Sequence, residues 1–183
     1  MGEETSPLRM NKYNPQIHHR RSIRLKNYDY SQAGAYFVTI CIQNRDCLLG
    51  NIENQAIQLN EYGLIVQEIW EHIPLHFNNV ELDAAVIMPN HFHGIIIITS
   101  CGSPQKIQKN KTNLSTIVAY FKYQTTKLIN QKRHQIGIKL WQRNYYEHII
   151  RNENSLQILR QYVQQNPIKW ELDQLHPNNP SQW

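Results

Sequence analysis

The chain has 183 residues, 40% apolar and 18% charged, which suffices for one compact domain with a buried core. A mean hydropathy of -0.60 and the lack of an apolar run near twenty residues argue against a membrane-spanning helix, and MGEETSPLRM lacks the hydrophobic stretch of a secretory signal, so a cytoplasmic location is expected. Cys41, Cys47 and Cys101 have no metal-type spacing and argue against a disulfide framework.

The net charge of +5 is unevenly distributed: no acid occurs from Ala84 to Tyr146, a stretch that carries Lys122, Lys127, Lys132 and Arg133 among its cations. A second acid-free stretch, HHRRSIRLK, holds Arg20, Arg21 and Arg24. Segregated positive charge of this kind suits a polyanion such as nucleic acid, although charge alone leaves a solvated surface equally open.

In chain order, residues 1–30 read as a basic arm poor in aliphatics. Residues 36–43 (YFVTICIQ) predict a strand, and 47–52 a shorter one. Leu64, Ile65, Ile69 and Ile73 recur at helical spacing over 60–72, where Pro74 ends the helix. Strands are predicted at 80–88 and 92–99, divided by a Pro-Asn turn, then a lysine-bearing loop over 100–112. A basic amphipathic helix follows over 114–131, an irregular or strand-like segment over 139–150, and a last helix over 153–166 closed by Pro167. This order predicts an α+β fold, an antiparallel sheet with helices packed on one face in a ferredoxin- or RRM-like sandwich. The domain is expected to span 31–172, followed by a polar tail over 173–183.

Two constellations carry chemistry. In MPNHFHG, His91 and His93 share one face of a strand, because side chains alternate with period two, and two imidazoles so placed can chelate a divalent metal. Taken alone, such a pair is more often structural. In RQYVQQNP, Tyr162 and Asn166 are neighbours on one helix face beside an apolar stripe of Leu156, Leu159 and Val163. The Asn166 amide oxygen suits Mg²⁺ or Mn²⁺, while the bland reading makes Tyr162 a core-edge residue and Asn166 a helix end.

Together, MPNHFHG, WQRNYYEHIIRN followed by YVQQNP, and RRSIRLKNYDYSQAGAYFVTICIQNR near the start resemble the REP-associated tyrosine transposases, within the single-tyrosine His-hydrophobe-His group. The resemblance covers most of residues 20–170. It implies metal-dependent cleavage and rejoining of single-stranded DNA near hairpins, with His91, His93 and Asn166 as ligands of a divalent metal, Mg²⁺ or Mn²⁺, and Tyr162 as the nucleophile that forms a 5′-phosphotyrosine. Glu147 and His148 would support the ligands. Lys122, Lys127, Lys132, Arg133, Arg20, Arg21 and Arg24 would meet phosphates, and Tyr120 would stack on unpaired bases. The partner would be single-stranded or hairpin DNA, and the enzyme a monomer or a homodimer. Tyr123 and Tyr120 are rival nucleophiles. Rival functions are a non-catalytic nucleic-acid-binding module and a metal-dependent phosphodiesterase in which water attacks.

Overall fold

The computed structural model describes Leu25, residues 28–100 and residues 112–179. At its centre, β1 (Gly34–Cys41) and β5 (His91–Ile98) pair antiparallel, with Phe37 opposite Ile95, Thr39 opposite His93 and Cys41 opposite His91. The Ile95–Ile98 run is buried almost throughout, and the strand reaches back to His91, so both histidines lie within it. β4 (Val80–Ile87) flanks β5 and β6 (Tyr146–Ile150) flanks β1, giving the order β4-β5-β1-β6 with every neighbouring pair antiparallel. The short strand expected over 47–52 is half of a separate hairpin, β2 (Gly50–Glu53) with β3 (Ala56–Leu59). Its turn places Asn54 and Gln55 at φ 50° and 63°, the left-handed pair a two-residue hairpin turn needs; without the usual glycine, the sequence signal is weak.

Each long helix starts on an asparagine whose side chain accepts from first-turn amides. Asn60 caps α1 (Glu61–Glu71), Asn113 caps α3 (Leu114–Lys132), and Asn152 caps α4 (Glu153–Gln165). A single turn, α2 (Ile73–His76), carries the Pro74 that ends α1.

α1 and α3 cover one face of the sheet. Tyr36, Val38 and Ile40 of β1, with Phe92, Ile96 and Ile98 of β5, form one buried cluster with Trp70 of α1 and Phe121 of α3. Burying each such side chain contributes about 1.5–3 kcal/mol. Gly94 permits the close approach of α1: a Cβ there would stand 2.6 Å from the Trp70 ring and 2.7 Å from the Phe92 ring.

The α+β class and the antiparallel sheet agree with expectation, but the helices do not share one face. α4 lies across the other side, where Val163, Leu156 and Leu159 pack on Phe37, Ile95 and Ile150. The reason is legible in β1 and β5: strands apolar on both sides must be covered on both. Arg160 fixes α4 to β4 through two bonds to the Asp83 carboxylate, at 2.9 and 2.7 Å. The expected tail also needs correction as far as it is described. After a 3-10 turn (Trp170–Leu172), Asn90 Nδ2 donates to the Leu175 carbonyl at 2.7 Å and the Trp170 and His176 rings meet at 4.7 Å, so residues 173–176 are part of the domain. Among the described residues, no helix is long and apolar enough to cross a membrane.

Candidate active site

The pleat of β5 turns His91 and His93 to the α4 side, and both are buried. Each ring has a partner at Nδ1. His91 Nδ1 lies 2.8 Å from Asn90 Oδ1, an acceptor, so it donates and its Nε2 carries the lone pair. His93 Nδ1 lies 2.8 Å from Thr39 Oγ1. Orienting partners of this kind are what ligating histidines require. Burial pushes the His91 pKa down to about 3, against a smaller upward push from the Asn166 amide. His93 is held well below the ordinary value by burial and then by His91. Both rings are therefore neutral, the form that binds a metal.

α4 brings the other groups. The Tyr162 hydroxyl stands 3.3 Å from His93 Nε2, and its ring meets Phe37 edge-on at 6.0 Å, with 43% of the residue open to solvent. Burial of the hydroxyl and the nearby Asp173 charge raise its pKa to about 12, so the phenol keeps its proton at neutral pH. Asn166 caps the C-terminus of α4. Its Nδ2 donates to Asp173 Oδ2 at 3.3 Å, while Oδ1 is buried with no hydrogen-bond partner. His91 Nε2 is likewise buried without one, 3.9 Å from Asp173 Oδ2.

Buried polar atoms are rarely left without partners. Two such atoms meet at this site, an imidazole nitrogen and an amide oxygen beside a carboxylate. His91, His93 and Asp173 each offer a ligand atom within 4.8 Å of the others. Neutral imidazole, amide oxygen and carboxylate together fit a divalent cation.

The site opens into a cleft of about 840 Å³ between α4 and the segment leading into β6. His148 lines it beside Phe37. Glu147 does not: paired with Val38, it belongs to the opposite face of the sheet, since neighbours along a strand point apart.

The basic helix is also remote. α3 lies on the face opposite the histidines, and its expected DNA contacts are variously engaged there. Lys122 Nζ donates to the carbonyls of Gln142 and Arg143 at 2.5 and 3.1 Å, and burial lowers its pKa to about 8. Lys132 pairs with Glu61 at 3.1 Å, Arg133 bonds the Asn130 amide oxygen, and Tyr120 stacks on His76 at 4.1 Å. Lys127 is exposed. The rival Tyr123 is 63% exposed on the same helix, across the sheet from the histidines. Arg20, Arg21 and Arg24 lie outside the described residues.

Three contributors were not anticipated from sequence: Asp173, Asn90 and Thr39. Asn90 had a signal in its place directly before His91, and Thr39 in being the polar exception within YFVTIC. Asp173 had none, because the fold of a polar C-terminal segment carries it back to β5.

Residues 30–166 match the family of IS200-like transposases, and the chain belongs to that family. It is 47% identical over 177 residues to an uncharacterised protein of Haemophilus influenzae, covering 90% of this chain and 97% of that one. A second H. influenzae protein, provisionally named a REP-associated tyrosine transposase, is 28% identical over 157 residues, 79% of this chain and 77% of the relative. Among solved structures, a REP-associated tyrosine transposase bound to a REP hairpin shares the fold, with a TM-score of 0.57 and 21% identity over 80% of this chain and 73% of that one.

Proposed function

We propose that this transposase cleaves and rejoins single-stranded DNA beside a hairpin through a covalent 5′-phosphotyrosine on Tyr162. The observation that carries the reading is the meeting of a tyrosine hydroxyl with a set of metal donors. The Tyr162 oxygen lies 3.3 Å from His93 Nε2 in the cleft, and next to His93 the His91 Nε2 and Asn166 Oδ1 atoms are buried without partners. Hairpin DNA as substrate is supported by family membership and by the hairpin held in the solved relative.

In the cleavage step, the Tyr162 oxygen bonds to phosphorus and the phenol gives up its proton to solvent water. The P–O3′ bond breaks, and the departing oxygen takes a proton from water to become a free 3′-OH. In the rejoining step a 3′-OH attacks the same phosphorus and loses its proton to water, the P–O(Tyr162) bond breaks, and the tyrosine oxygen is reprotonated from water, so the linkage is conserved without ATP. A divalent cation, Mg²⁺ or Mn²⁺, held by His91, His93, Asn166 and Asp173 would offset the charge building on the phosphoryl oxygens.

The protein's own task is alignment. The Asn152 cap, the Arg160–Asp83 pair and the Val163 contact fix the helix that carries Tyr162. Thr39 and Asn90 fix the imidazoles. Within this chain Tyr162 and the donors lie together.

Labelled hairpin DNA with single-stranded flanks, incubated with Mg²⁺ or Mn²⁺ and run on a denaturing gel, tests the proposal. A metal-dependent covalent band is expected, lost in Tyr162→Phe and in His91→Ala. Cleavage with no covalent band would assign the attack to water and overturn the role of Tyr162.

A further inference from the structure

The cleft is larger than a metal and one phosphate require, and its far wall is chemically distinct from the reaction centre. Thr39 pairs with His93 on one side and with Tyr146 on the other, so His93, Thr39 and Tyr146 form one row across three strands on the α4 side of the sheet. Two strand spacings separate His93 from Tyr146, about 10 Å. Tyr146 is 41% exposed and lines the cleft, with His148 one row further along and Asn144 just before it. The charged residues lining the cleft are Arg45 and Lys169, with the carboxylate of Asp173 at the metal end. An aromatic platform, an amide and two cations, in the cleft that also holds the nucleophile, suit a flat heterocycle attached to phosphate.

We propose that this cleft is a nucleotide site, in which the unpaired base adjoining the scissile phosphate stacks on Tyr146 and its edge meets the Asn144 amide. The choice of DNA as ligand rests on the cleavage reaction proposed above. Stacking on an aromatic side chain is tolerant of base identity, so Tyr146 supplies affinity while Asn144 supplies preference. Tyr146 lies two strands across the sheet from His93, and acts by positioning the strand.

The test is an abasic scan. Hairpin DNA carrying one abasic nucleotide, moved stepwise through the single-stranded flank, is bound by Tyr162→Phe protein and measured by fluorescence anisotropy. At one position, loss of the base is expected to weaken binding about ten-fold. That penalty should shrink below about two-fold when Tyr146→Ala is added, and persist with Tyr146→Trp, whose ring preserves the platform. Equal penalties in all three proteins at every position would overturn the nucleotide site while leaving the transposase reading intact. Failure of the unaltered protein to bind any such strand would overturn both, and the covalent-band assay separates the two failures.

Discussion

On the face of the sheet covered by α1 and α3, Tyr36, Val38, Ile40, Phe92, Ile96 and Ile98 pack against Trp70 and Phe121 in one continuous apolar cluster. On the face covered by α4, the buried apolar cluster is only Phe37, Ile95, Ile150 and Val163, and it gives way along the same strands to Thr39, His91 and His93. The same two strands serve both faces, and the pleat separates the roles residue by residue. Phe92 anchors the fold between two histidines that face the other way. A large core on one side lets the other side carry buried polar groups without partners, which cost stability wherever they occur.

The largest expected effect breaks the core face. Phe121 touches Trp70, Phe92 and Trp141, and Phe121→Ala should destabilise the domain by about 3–5 kcal/mol, seen as a lower urea midpoint. Tyr162→Phe, on the other face, should leave that midpoint in place, since the ring and its Phe37 contact remain. Should Tyr162→Phe unfold the protein as Phe121→Ala does, the division of labour between faces is wrong.

A smaller effect is expected at the hinge between the two. Asn90 orients His91 through Oδ1 and holds the Arg45 and Leu175 carbonyls through Nδ2. Asn90→Ala should weaken Mn²⁺ binding about 10–100-fold by calorimetry, the range for loss of a partner that orients a ligand. Unchanged affinity would detach Asn90 from the metal site.

The smallest effect concerns the anchoring of α4. The Arg160 guanidinium holds the Asp83 pKa below the usual carboxylate value. A depressed folded-state pKa contributes stability that is present above the unfolded value, about 3.9, and lost as pH falls through the folded one. Amide exchange in α4 should therefore quicken relative to the sheet below about pH 4. In Arg160→Ala, α4 should already exchange faster at neutral pH and show less of the acid step. An acid step of the same size in the variant would place its cause elsewhere.

Much of this division was legible in the sequence. The isoleucine run after HFHG required a buried strand, period two put both histidines on one face, and the four-residue spacing of Tyr162 and Asn166 put both on one side of a helix. Which face α4 would cover was not legible from local pattern, although YFVTIC, apolar on both sides, called for two covers. The basic residues of α3 were legible as charge but not as partners: Lys132 meets Glu61 and Lys122 meets two carbonyls only after the chain has folded. Asp173 reaches His91 through contacts between segments more than eighty residues apart, such as Asn90 with Leu175, which no periodicity encodes.

The central claim is that Tyr162 becomes covalently joined to DNA. The most direct measurement is to trap the adduct formed on hairpin DNA, digest it with nuclease and protease, and locate the nucleotide-bearing peptide by mass spectrometry. A phosphodiester-linked nucleotide is expected on Tyr162, formed only when a divalent metal is present. A nucleotide on Tyr123 or Tyr120, across the sheet from the histidines, would contradict it.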